Sequence, residues 1–205
     1  MCIFMSDKIK VILFDVGGVV IDFDDSIYIS LLSRKLHMSK ERIRKALLPL
    51  LRKGERGSLK SKDMLRILSK RLGVSIASLQ WNETVKKYAH ANKQVLSLMR
   101  SLKKHYRIAL LSNITFSRFF TMRGLIDPSL YEKLFASAYL HVRKPDKGIY
   151  LHVLKRLGVK PSEVVFIDNL KENVIGAQKV GIKAIQYTTM EKLLSELRKV
   201  GVVIR

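Results

Sequence analysis

Apolar and polar positions follow two rhythms along the chain. Val11-Ile-Leu-Phe14 is an unbroken apolar run with β-branched members that ends on Asp15 and breaks into Gly17-Gly18. Such a run reads as a strand buried on both faces, with the glycine pair making a tight turn beyond it. The pattern returns at Glu163-Val-Val-Phe-Ile-Asp168-Asn169, where four apolar residues again deliver an acid, ahead of the helix-like stretch Glu172-Asn-Val-Ile-Gly-Ala177. Between and after them the spacing predicts a helix over 94–104, a strand over 107–111 leading to Ser112-Asn113, and a helix from about Arg118. It then predicts a short strand over 135–138, a helix over 148–157, a strand over 164–167, a helix over 173–180, a strand over 183–187 and a last helix over 191–200. Strands alternating with helices predict βαβ units and a parallel sheet.

Residues 22–92 break that rhythm. Apolar residues recur there at helical spacing, at Ile27 to Leu32, Ile43 to Leu48 and Met64 to Leu68, with no convincing strand. Pro49 is expected to end or kink the middle helix, Gly54-Glu-Arg-Gly57-Ser58 to break the segment, and Ser61 to cap the third helix. Trp81 and Tyr88 read as core. The predicted fold class is α/β, a Rossmann-like parallel sheet flanked by helices, with residues 1–21 and 93–205 as the core and 22–92 as an inserted all-helical cap.

Composition narrows the setting. The 205 residues are 47% hydrophobic, enough for a buried core. One cysteine, Cys2, excludes an internal disulfide framework and zinc-ligand spacing. The apolar patch at residues 1–6 is too short for a signal peptide or membrane span, so a cytoplasmic protein with no membrane attachment is expected. With 39 Lys and Arg against 17 Asp and Glu, the net charge is +22. That field attracts anions. The basic residues are nevertheless spread along the chain, without an arginine-rich tail or stacking aromatics, so solvated basic helix faces are favoured over a dedicated nucleic-acid partner. Histidines 37, 90, 105, 141 and 152 form no metal pattern, and only His141 falls near a candidate site.

Ligands of open α/β sheets bind at the carboxyl ends of the strands. If the two acid-bearing strands are neighbours, Asp15 and Asp168 share one oxygen-rich site suited to a hard cation such as Mg²⁺. Ser112-Asn113 and Lys144 follow the intervening strands. Each alone has a plain reading: a turn-forming Asp, a helix-capping Ser-Asn, one solvated lysine among many.

Together and in order, these pieces resemble the motifs of the haloacid dehalogenase-like hydrolase superfamily over essentially the whole chain. The matching residues are Phe14-Asp15-Val-Gly-Gly-Val-Val20, Leu110-Leu-Ser112-Asn113, Arg143-Lys144-Pro145-Asp146 with Tyr150, and Phe166-Ile-Asp168-Asn-Leu-Lys-Glu172-Asn173 running into Gly176-Ala177. The start looks closest to the branch of bacterial α-D-glucose-1-phosphate phosphatase and the amino-terminal domains of epoxide hydrolases. The resemblance implies an enzyme, a phosphatase in which Asp15 attacks phosphorus and forms an aspartyl-phosphate. It implies Mg²⁺ held by Asp15, the Gly17 carbonyl, Asp168 and Asn169, with Glu172 as a further ligand directly or through water. It gives Ser112, Asn113 and Gly18 to the phosphate oxygens, and Lys144 to the charge on Asp15 and the transition state. Asn173 is either a helix-start residue or one that orients the loop.

Two positions depart from the family pattern. Gly17 stands where most phosphatases of the superfamily carry a general acid and base, a contribution of ~10²–10⁴ in rate. Asn169 replaces the second of two adjacent acids. The expected function is hydrolysis of a small phosphomonoester, sugar phosphates first. A 2-haloacid dehalogenase, or a weakened member serving as a nucleic-acid-binding or regulatory module, is the alternative.

Overall fold

Four consecutive apolar residues place β1 (Val11–Phe14) at the centre of a parallel sheet, completely buried. A computed structural model describes residues 8–76 and 87–204. The strand order is β3 (Lys133–Ala136), β2 (Arg107–Ser112), β1, β4 (Val164–Asp168), β5 (Lys183–Gln186). Val11 is in register with both Arg107 and Val164. The period of two in each strand divides the core. Ile12, Phe14, Ile108, Leu110, Val165 and Ile167 pack on one face, with α4 (Lys93–Leu102) and α9 (Met190–Lys199). Val11, Leu13, Ala109, Leu111, Val164 and Phe166 pack on the other, with α7 (Lys147–Leu157) and α8 (Lys171–Gln178).

The chain moves from β1 outward to β2 and β3, then returns across the sheet to β4 and β5. The strand order therefore reverses between β1 and β4, the point at which doubly wound sheets open a binding crevice.

Between β1 and α4 lie α1 (Asp25–Leu36), α2 (Lys40–Glu55) and α3 (Ser61–Leu72). Where the chain leaves for these helices and where it returns, it pairs with itself. Ile21 bridges Ala91, Asp22 N–H donates to His90 O, and Asn92 N–H to Val20 O, both at 2.8–2.9 Å.

Several local expectations need correction. Pro49 does not end α2, which runs through it. Ile43, Leu47, Leu50 and Leu51 bury the helix's apolar face on both sides of the proline, offsetting its cost of ~3 kcal/mol. Lys60, not Ser61, occupies the N-cap of α3, and the Ser61 hydroxyl instead bonds Ser117 at 2.7 Å. The strand expected over 135–138 lies at Lys133–Ala136, and Ser137 begins the short helix α6 (Ser137–Leu140). The buried Ser137 hydroxyl turns the chain there by accepting from Ile114 N–H at 3.0 Å. Tyr88 is 38% exposed rather than core, with the Lys87 ammonium 5.5 Å from its ring centre. Trp81 lies outside the described residues. Among the described residues, no helix is long and apolar enough to cross a membrane.

Candidate active site

Adjacency of β1 and β4 brings the two strand-end acids together. Asp15 N–H continues the ladder by donating to Ile167 O at 2.8 Å. The Lys144 ammonium then joins both carboxylates, 2.6 Å from Asp15 Oδ1 and 2.6 Å from Asp168 Oδ2. It also donates to Leu111 O at 3.0 Å. All three side chains are buried.

The supporting contacts explain how a lysine on a loop is held there. Asn113 brackets the Lys144 backbone, accepting its N–H at 2.8 Å and donating to its carbonyl at 2.9 Å. Asp168 Oδ1 accepts from Leu170 N–H at 2.8 Å, and Asn173 Nδ2 donates to both Asp168 oxygens at 3.0–3.1 Å. The Tyr150 hydroxyl holds Asn173 by donating to its carbonyl at 2.8 Å.

Two carboxylates share one ammonium. Burial, and then the Asp168 charge, push the Asp15 carboxyl up to about 7 against the opposing pull of Lys144. Burial alone would lower Lys144, but the Asp15 and Asp168 charges outweigh it and raise it above the ordinary lysine value.

A cavity of about 290 Å³ opens above this cluster, lined on the sheet side by Asp15, Gly17, Ser112, Asn113, Lys144, Asn169 and Asn173. Asp168 stands behind Lys144 and does not line it. Among the described residues, no three His, Cys, Asp or Glu side chains cluster as metal ligands. Two features nonetheless fit a hard cation. Asn169 Oδ1 is buried without a hydrogen-bond partner in the same lining as Asp15, and once Asp15 is ionised the carboxylate pair carries one negative charge beyond what Lys144 neutralises. That set suits Mg²⁺, which binds through one or two carboxylates and keeps several waters. Glu172 is not brought into the site; it is exposed on α8, away from the cavity lining.

Gly18 explains how Asn169 is placed. Its φ of +81° favours glycine, and a β-carbon there would lie 2.3 Å from Asn169 Nδ2. Gly18→Ala is therefore expected to displace Asn169 and to cost ~1–3 kcal/mol through backbone strain and the clash. Urea unfolding measures that cost.

The opposite wall brings residues that no local pattern announced. Glu55 of α2 pairs with Arg143 at 2.8 Å, and Asp25 of α1 with Arg118 of α5 (Phe116–Arg123) at 2.9 Å. Arg56 reaches Asp146 at 2.8 Å, and His141 Nδ1 lies 3.2 Å from the Arg56 carbonyl oxygen. His141 thus faces the end of α2 rather than the cavity. Nothing local marks them: α2 carries both Glu41 and Glu55, and only the fold buries Glu55.

Comparison with known proteins agrees with this architecture. The family model for haloacid dehalogenase-like hydrolase matches residues 9–181. The chain belongs to that family and is a hydrolase. It is 31% identical over 149 residues to the sesquiterpene phosphatase astK of Aspergillus oryzae, spanning 71% of this chain and 76% of that protein. A shorter stretch of 68 residues, 33% of the chain and 28% of the relative, is 34% identical to flavin mononucleotide hydrolase 1 of Arabidopsis thaliana. In fold it resembles a HAD family enzyme of Bacteroides thetaiotaomicron solved as a magnesium complex, with a TM-score of 0.77 at 22% identity over 93% of this chain and 98% of that one. It also resembles the L-2-haloacid dehalogenase of Xanthobacter autotrophicus, with a TM-score of 0.65 at 20% identity over 95% and 84%.

Proposed function

We propose that the protein is a Mg²⁺-dependent phosphatase acting on a small phosphomonoester through an aspartyl-phosphate on Asp15. The observation that carries this reading is the buried Lys144 ammonium held 2.6 Å from each of two strand-end carboxylates beside a cavity. The likeness to a sesquiterpene phosphatase supports a phosphate ester as substrate. Residues 22–92 act as the cap over the site, and the reaction belongs to the cytoplasm.

Mg²⁺ would be held by Asp15, the Gly17 carbonyl and Asn169 Oδ1, with Asp168 as the charge behind them; when bound it neutralises the phosphate's negative charge. An oxygen of Asp15 forms a bond to phosphorus as the bond to the leaving alkoxide oxygen breaks. Lys144 holds Asp15 in position and balances charge that builds on the phosphoryl oxygens. Ser112 and the backbone beyond it receive those oxygens. The alkoxide takes its proton from water, since Gly17 offers none. Water then attacks phosphorus, the bond to Asp15 breaks, and phosphate leaves with the carboxylate restored.

The test is phosphate release from p-nitrophenyl phosphate with Mg²⁺ or EDTA, alongside chloride release from 2-chloropropionate. Release of phosphate that EDTA abolishes is the expected result. Chloride release without phosphate release would replace this reading by attack of Asp15 on carbon.

A further inference from the structure

We propose that the substrate's leaving group is an apolar chain rather than a sugar, lying along the wall built by α1, α2, α5 and the loop after β4. This rests on the phosphatase reading above. Phe23, Ile29, Leu48, Ile114, Met122 and Leu170 line the cavity beyond the phosphate end. They come from separate parts of the chain and converge on one space.

Arg44, half-exposed, pairs loosely with Glu41 of its own helix at 3.8 Å, and the other polar groups that share this wall are engaged more tightly. Asp25 is paired with Arg118 at 2.9 Å and Glu55 with Arg143 at 2.8 Å, so two acids and two bases cancel. Asp24 Oδ1 caps α1, accepting from Ser26 N–H, the Ser26 hydroxyl and Ile27 N–H. The Asn113 side chain is committed to the Lys144 backbone. A sugar entering here gives up hydrogen bonds to water for each hydroxyl and must break these pairs to replace them, at ~1–3 kcal/mol for each group left unsatisfied. A hydrocarbon breaks none of them.

Leu170 points to the same conclusion from the opposite side. It directly follows Asn169, its N–H is tied to Asp168, and its side chain remains 47% exposed while lining the cavity. An isolated exposed leucine needs no explanation. One fixed by its backbone at the edge of an apolar wall, next to the phosphate end, is area that a bound chain would remove from water.

The test compares kcat/KM for butyl, hexyl and octyl phosphate, below their micelle concentrations, with that for glucose 6-phosphate, at saturating Mg²⁺. All are esters of primary alcohols, so leaving-group chemistry is held nearly constant. The expected result is a rise of about fourfold for each buried methylene until the cavity is filled, which places hexyl phosphate ~30-fold or more above glucose 6-phosphate. Leu48→Gln and Leu170→Ser are each expected to flatten the rise, and Leu170, being exposed, tests the wall without threatening the fold. A flat series, or glucose 6-phosphate equal to hexyl phosphate, would overturn the inference. p-Nitrophenyl phosphate run in parallel separates the two failures. Its turnover beside a flat series removes the apolar chain and keeps the phosphatase. No turnover of any ester removes both.

Discussion

Asp15→Asn is expected to lower phosphate release by at least ~10³-fold, because the amide supplies no nucleophilic oxygen anion to phosphorus. The same change is expected to stabilise the metal-free protein at pH 8. In the fold Asp15 keeps its proton up to about 7, whereas unfolded it releases it near 3.8. The unfolded state therefore holds fewer protons between those values, and the Asp15 contribution to stability falls as pH rises from about 4 to 7. Asparagine remains neutral throughout. The pull of Lys144 is already contained in the Asp15 value, and the net stabilisation is on the order of 2 kcal/mol at pH 8. For a chain of this size that is a rise in Tm of roughly 4–8 °C. At pH 5 the gain should fall to about half or less. Calorimetry in EDTA at both values measures it, and a variant less stable than wild type at pH 8 would show that Lys144 outweighs burial and the Asp168 charge.

Lys144→Met is the opposite case. It removes activity and stability together, since it leaves Asp15 and Asp168, each 2.6 Å from the lost nitrogen, with no ammonium between them. Breaking a buried pair of this kind costs ~3–5 kcal/mol, a large share of the 5–15 kcal/mol that holds a typical domain together. Without the lysine, burial and the Asp168 charge push Asp15 up further, so the variant should recover stability as pH falls and that carboxyl takes up its proton. Urea midpoints at pH 5 and pH 8 test this. Equal loss at both values would mean that packing of the lysine stem, not its charge, holds the site.

The two acids were legible because each ends an unbroken apolar run, a pattern set by local geometry that survives into the sheet as β1 and β4. Lys144 was not legible from its surroundings. It is one of 39 basic residues, and only the ordered motif separated it from the rest before burial did. The Asn113 side chain brackets the Lys144 backbone, a pairing 31 residues long that no local signal records and that leaves its backbone for the expected phosphate. The wall pairs were hidden for the same reason: Glu55 and Arg143 are 88 residues apart, Asp25 and Arg118 are 93 apart, and neither carries a pattern on its own helix. Pro49 does not end α2 because helix propensity is a local quantity, while α2 is held by the tertiary burial of its apolar face.

The pairing of Ile21 with Ala91 brings together the two points where the chain leaves the sheet for the helical segment and returns from it. The chain leaves the sheet and rejoins it side by side, so neither end has to span a distance set by what lies between. The segment can therefore change its length without altering the spacing of β1 and β4 or the acids at their ends, and a replacement needs only to supply partners for Arg118 and Arg143, as Asp25 and Glu55 do. A graft of another helical segment between residues 22 and 90 would make selectivity an interchangeable part on a constant chemical base.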